Sequence, residues 1–131
     1  MKSSDRVAPA ADQVSPTTTA LLSEFSVQLE RTVDWLNSMP LSRLDRSSDG
    51  GSVLDRAHGL AQAVVAAHDQ LVGEPVRELP RLRAHGTGSQ LAVVGHELAE
   101  TIEAQSIDSL KVDLALVGLV LFVVGGTIAA V

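Results

Sequence analysis

Between Thr17 and Ser38, apolar residues recur at Leu22, Phe25, Leu29, Val33 and Leu36. Steps of three and four place them on one stripe of a helix, with Glu24, Glu30, Arg31 and Asp34 on the other side and Pro40 as the stop. Trp35 falls at the edge of that stripe beside Leu21 and Met39, a core-edge position. A second stripe runs through Val53, Ala57, Leu60, Val64, His68 and Leu71, opened by Ser52 as a cap and closed by Gly73-Glu74-Pro75. A third runs through Leu91, Val94, Leu98 and Ile102, capped by Ser89, with Glu97, Glu100 and Glu103 turned outward. The pattern predicts helices over about 17–38, 52–72 and 89–104.

The segments between them carry the opposite signal. Asp45 to Ser52 reads as a Gly/Ser/Asp loop, and Val76 to Ser89, punctuated by Pro80, Gly86 and Gly88, reads as a connector. Residues 1–16 hold too little apolar surface to repay ordering and are expected to form a disordered arm. Beyond Ile102 the third stripe fails, since its continuation would bring Gln105 and Ser109 inward and send Ile107 and Leu110 outward. Two solutions satisfy that stretch: a break capped by Ser106 or Asp108, or a continuous helical stalk.

The last eighteen residues, Leu114 to Val131, carry no charge, and Thr127 is their only polar side chain. At about 1.5 Å per residue such a run just crosses a hydrocarbon core. Residues 106–131 are therefore expected to form a C-terminal transmembrane anchor, and residues 17–105 a helical bundle domain in front of it. An N-terminal secretory signal is not indicated, because Met1 to Pro16 has no apolar core. Lys111 before the span, with no Lys or Arg after it, agrees with a cytoplasmic N-terminal domain and a single pass of the cell membrane.

Composition narrows the partners. Ten Lys plus Arg against sixteen Asp plus Glu give a formal charge of −6, which argues against nucleic acid or an anionic lipid surface as the main partner. Without cysteine there are no disulfides, thiolate metal sites or cysteine nucleophiles, and two Phe, one Trp and no Tyr leave no stacking platform. Eight of the ten basic residues are Arg in an Ala/Val/Leu/Gly-rich chain, a composition associated with GC-rich bacterial genomes.

Candidate chemistry is sparse. Gly95-His96-Glu97-Leu98-Ala99-Glu100 begins like the zinc-protease signature, but Glu100 stands where the second histidine belongs. His96, Glu100 and Glu103 also lie opposite the apolar stripe, so they read as a solvated face; a weak divalent-ion site there would need ligands from elsewhere, such as the Asp55-x-x-His58 pair. His68 lies on an apolar face and reads as a core-edge histidine bonded to a neighbour, with a pH-sensitive contact or ligand role as the alternative. Gly86-Thr87-Gly88-Ser89 resembles a short anion nest without a phosphate-loop Lys, and is read as loop and cap. Arg77, Arg81 and Arg83 form the one basic cluster, read as solvated surface, with a phosphate or lipid-headgroup contact as the lesser alternative because three charges are fewer than lipid binding usually takes. No cofactor or metal is expected.

The anchor holds the stronger signal. Ala115, Gly118, Phe122, Gly125 and Ala129 share one side, and Gly125-x-x-x-Ala129 and Gly126-x-x-x-Ala130 are small-residue pairs of the kind that let two membrane helices approach closely, while Leu119 and Val123 fall off this face. The resulting expectation is an all-α protein: a three-helix cytoplasmic domain on one transmembrane helix. It is read as a non-catalytic accessory subunit or adaptor that pairs with an integral membrane protein or a second copy of itself. The competing readings are a tethered metal-dependent hydrolase centred on His96, Glu97 and Glu100, and a self-assembling protein of the holin kind.

Overall fold

The computed structural model describes residues 15–44, 47–48 and 51–124. Five helices dominate them: α1 Pro16–Ser38, the single turn α2 Leu41–Leu44, α3 Val53–Leu71, α4 Ala84–Ala104 and α5 Ser109–Val124. Two two-residue strands, β1 Ser47–Ser48 and β2 Gly51–Ser52, pair antiparallel between α2 and α3, in the segment that the sequence marks only as loop. The chain is all-α in every other respect among the described residues.

The helix ends follow local chemistry. Ser15 Oγ accepts the Thr18 N–H at 3.1 Å, and Pro16 occupies the first helical position, where a missing N–H costs nothing. Ser52 and Asp55 form a reciprocal capping box at the start of α3, with bonds of 3.0 and 3.1 Å. At its end, the Glu74 N–H reaches back to the Asp69 carbonyl and the Gly73 N–H to that of Gln70, while Gly73 takes a φ of 76°. This is the Schellman arrangement, which needs a residue without Cβ at that left-handed position.

α4 starts at Ala84, five residues before the expected Ser89, and takes up Gly86 and Gly88 that suggested a loop. Packing explains the difference. A Cβ on Gly95 would lie 2.0 Å from Leu29 Cδ2, and one on Gly88 2.4 Å from Asn37 Oδ1, so these glycines are where α1 crosses α4 closely. Tertiary approach outweighs the low helix propensity of glycine here. α4 then ends at Ala104, Gln105 turns extended (φ −115°, ψ 147°), and α5 opens with the Val112 N–H on the Asp108 carbonyl at 3.1 Å. Of the two solutions left open by the sequence, the chain takes the break.

Four long helices share one core. α1 runs antiparallel to α4, as Leu29 meets Gly95 and Asn37 meets Gly88. α3 and α4 run parallel: His68 and Thr101 meet near their C-terminal ends, and residues 74–83 return along the cleft to the other end. α5 packs against α1 and α3, with Thr18 Oγ1 donating to Asp113 Oδ1 where α1 and α5 both begin. Phe25, Leu60, Leu91, Leu98 and Leu116 are fully buried at the centre.

The all-α expectation holds, and α5, whose residues were assigned to a separate anchor, packs on two of the three expected helices, α1 and α3, over its described length. Val112, Leu116, Leu119 and Val123 recur in steps of four, three and four and close the bundle as a fourth long helix. Leu119 and Val123, which fall off the small-residue face, are thus core residues. No helix among the described residues is long and apolar enough to cross a membrane. The 16 described residues of α5 correspond to a rise of about 24 Å. Residues 125–131, with Gly125, Gly126, Ala129 and Ala130 of the expected helix-packing face, lie outside the described residues, as do residues 1–14 of the expected arm.

Candidate functional site

α5 carries a second apolar seam. Leu110, Leu114, Val117 and Leu121 repeat the same four-three-four spacing two residues out of step with the buried set. Two residues turn a helix by about 200°, so this seam faces away from the bundle. Leu110, Leu114 and Leu121 are each more than 60% exposed. The expected small-residue face lies between the two seams. Ala115 and Phe122 are half-buried, the latter against the bundle core, while Gly118 is exposed and a Cβ there would meet nothing within 4 Å.

The zinc-like motif is not assembled. His96 Nε2 and Glu100 Oε2 stand 3.3 Å apart on the outer face of α4, both exposed, whereas Glu97 turns toward Arg77. Asp55 is taken up by Ser52 and Arg81, and His58, about one turn further along α3, is half-buried. Among the described residues no three His, Asp or Glu side chains stand close enough to hold a metal ion. Gly86 to Ser89 form helical turns of α4, so the anion-nest geometry is absent.

The most developed polar cluster lies where α3 and α4 end. Asp69 is 1% exposed, yet its carboxylate is fully engaged. Oδ1 accepts from Arg77 Nη2 at 2.8 Å, and Oδ2 accepts from Arg77 Nε at 3.0 Å and from the Arg77 backbone N–H at 2.9 Å. His68 Nδ1 lies 2.8 Å from Asp69 Oδ1, and its Nε2 lies 2.9 Å from Thr101 Oγ1. Arg77 Nη2 also donates to Glu97 Oε1 at 3.0 Å. The hydrogen bonds from the Arg77 guanidinium hold the Asp69 carboxyl far below the usual carboxylate range, against the opposing effect of burial. Asp69 and Glu97 in turn raise the Arg77 guanidinium above its ordinary value.

Asp69, His68 and Thr101 stand in the order acid, imidazole, hydroxyl, the sequence of groups that activates a nucleophile. Thr101, however, sits in the last turn of α4, where the backbone N–H groups are spent on helical bonds and none is free to hold an oxyanion. The arrangement is therefore suited to anchoring the connector through Arg77. Comparison with models of known protein families, with curated proteins and with solved structures finds no match. The class is set by the fold alone: a four-helix all-α bundle whose fourth helix is apolar on two faces.

Sequence reasoning placed His68 as a bonded core-edge histidine, and its contacts with Asp69 and Thr101 fit that placement. It missed Asp69, Gln62 and Thr101. A signal was present in the spacing of Asp55, Gln62 and Asp69, polar residues seven apart along a helix otherwise read for its apolar stripe.

Proposed function

We propose that this chain is a non-catalytic, membrane-associated adaptor, an accessory subunit that joins a membrane complex through helix packing along α5 and the uncharged residues after it. The observation that supports the reading is the outward seam of α5. α1 and α4 turn Glu24, Glu30, Arg31, Asp34, Glu100 and Glu103 to solvent, while α5 turns out Leu110, Leu114, Val117 and Leu121. In the sequence the same spacing continues through Val124, Ile128 and Val131. A bundle helix that spends leucines on its outer face is the mark of a surface meant for lipid or another helix.

In this reading the partner is an integral membrane protein or a second copy of the chain, at the cell membrane. The bundle lies on the cytoplasmic side, and Leu114 to Val131 supply a single pass. Crossing would require the inner seam of α5 to leave α1 and α3. Lipid tails, about as apolar as leucine, would cover the freed seam of α5, whereas the faces of α1 and α3 that it leaves would have to close on each other to stay out of water.

Ending the chain at Ser109 is a poor test, because it removes Val112, Leu116, Leu119 and Val123 from the core. The informative change is Leu114→Glu with Leu121→Glu, which adds charge to the outer seam alone. Wild type is expected to stay in the membrane pellet through a carbonate wash, and the doubly substituted chain to move to the supernatant as a folded helical protein. Release of wild type by carbonate, or retention of both, would refute the proposal.

A further inference from the structure

Residues 74–83 lie in the cleft between α3 and α4, and both helices read their backbone with side chains. Facing α3, the Arg77 N–H donates to Asp69 Oδ2 at 2.9 Å, the Arg77 carbonyl accepts from Gln62 Nε2 at 2.7 Å, and the Leu79 N–H donates to Gln62 Oε1 at 2.9 Å. Facing α4, the Pro80 carbonyl accepts from Gln90 Nε2 at 3.0 Å. Odd residues bonded to one helix and an even residue to the other is the alternation of an extended strand. Its side chains add charge pairing: Arg77 to Asp69, and Arg81 to Asp55. Asp55, Gln62 and Asp69 recur every seven residues, close to two helical turns, and so form one row of acid, amide and acid along α3.

The resident segment does not complete this row of contacts. Gln90 Oε1 is enclosed without a hydrogen-bond partner among the described residues. In an extended strand the N–H and C=O of one residue point the same way, so the donor due at Gln90 belongs to residue 80. That residue is Pro80, which has no N–H. Alongside, a groove of about 990 Å³ lined by Leu79, Leu82, Val93 and Glu97 stays open, and Val93 is 66% exposed.

We propose that the cleft between α3 and α4 is a binding groove for an extended peptide carrying two arginines four residues apart, and that residues 76–82 are its resident occupant. Asp69 and Asp55 select the arginines, Gln62 and Gln90 grip the backbone whatever its side chains, and a non-proline residue opposite Gln90 completes the bonding. An external peptide with these features displaces the resident segment and gains the open groove as well. This proposal is independent of the membrane reading, which rests on α5.

The test uses the full chain with Arg77→Ala and Arg81→Ala, which loosens the resident segment, and a fluorescent synthetic peptide with the sequence of residues 74–83. Anisotropy is expected to show saturable binding about tenfold or more tighter than to wild type, because the tethered segment competes at an effective concentration on the order of millimolar. Pro80→Ala in the peptide should tighten binding about fivefold by supplying the missing donor. Asp69→Asn in the loosened chain should abolish binding. A folded loosened chain that binds nothing, or binds equally a peptide with both arginines replaced by Ala, overturns the proposal. If the double substitution unfolds the chain, Arg81→Ala alone takes its place, since that arginine is 59% exposed and the Asp69 anchor remains. Amide exchange in wild type gives a second reading: Arg77 and Leu79 must exchange faster than Val64 and Leu98. Equal rates would mean that the segment leaves only on global unfolding and cannot yield to a partner.

Discussion

Replacing Arg77 by Ala should destabilise the bundle more than replacing its partner, Asp69, by Asn, although both break one ion pair. Arg77 is half exposed on its side chain, whereas Asp69 is 1% exposed. Arg77→Ala leaves a buried carboxylate with two remaining partners, the backbone N–H of residue 77 and His68 Nδ1. Removing one partner of a buried pair costs about 3–5 kcal/mol, and the exposure of Arg77 points to the lower end, about 3 kcal/mol. Asp69→Asn leaves a guanidinium that can turn to water and to Glu97, and should cost about 2 kcal/mol for the charged hydrogen bonds lost. With both changes the unpaired charge is gone. The double variant should therefore cost about 3 kcal/mol, well short of the sum. For a domain of this size, Arg77→Ala corresponds to a fall in Tm of roughly 12 °C. Urea unfolding followed by far-UV circular dichroism and by the fluorescence of Trp35, the only tryptophan, measures all three. Additive costs, or a cost for Arg77→Ala below about 1 kcal/mol, would refute the view that this pair anchors the connector.

Acid should act through the same carboxylate. Its folded-state pKa is depressed, so the unfolded chain takes up the proton first, and the stability it contributes is present above the unfolded value of about 3.9 and lost as pH falls below it. The stability gap between wild type and Asp69→Asn should accordingly be constant near neutrality and shrink below about pH 4 in urea titrations; a gap that widens there contradicts the assignment. Two glycines should respond oppositely to Ala: Gly59, with nothing within 4 Å of a Cβ, should gain about 0.5–1 kcal/mol, whereas Gly95, facing Leu29 Cδ2 at 2.0 Å, should lose about 1 kcal/mol or more after its gain in propensity is counted. Thermal melts decide both signs.

The stripes of α1, α3 and α4 were legible because each has one apolar face and one polar face, so spacing alone fixes what is buried. Leu22, Phe25, Leu29 and Leu36, then Val53, Ala57, Leu60 and Val64, then Leu91, Val94, Leu98 and Ile102 are all core residues. The start of α4 was not legible, because Gly86 and Gly88 look like loop residues until Asn37 of α1 is placed against Gly88. Nor was the Arg77 anchor. Three arginines in a proline-bearing connector read as solvated surface, and only the return of that connector along α3 brings Arg77 to Asp69 and Arg81 to Asp55.

α5 shows where hydropathy along a chain and burial in a fold diverge. Its buried seam and its exposed seam have the same spacing and nearly the same residue types, two positions out of step, so averaging over the segment gives a helix that is apolar all round. Such a helix belongs in lipid or at the centre of a large protein. Among the described residues α1 and α3 are the main elements packed against it, and they cover one side. The sequence reading and the fold therefore describe two halves of one helix: Val112, Leu116, Leu119 and Val123 satisfy the bundle, and Leu110, Leu114, Val117 and Leu121 form the apolar area left uncovered among the described residues. Because Ala115 and Gly118 lie between the two seams, a helix approaching the outer one would slide over small residues before reaching the bundle, a geometry that permits close packing without disturbing the core.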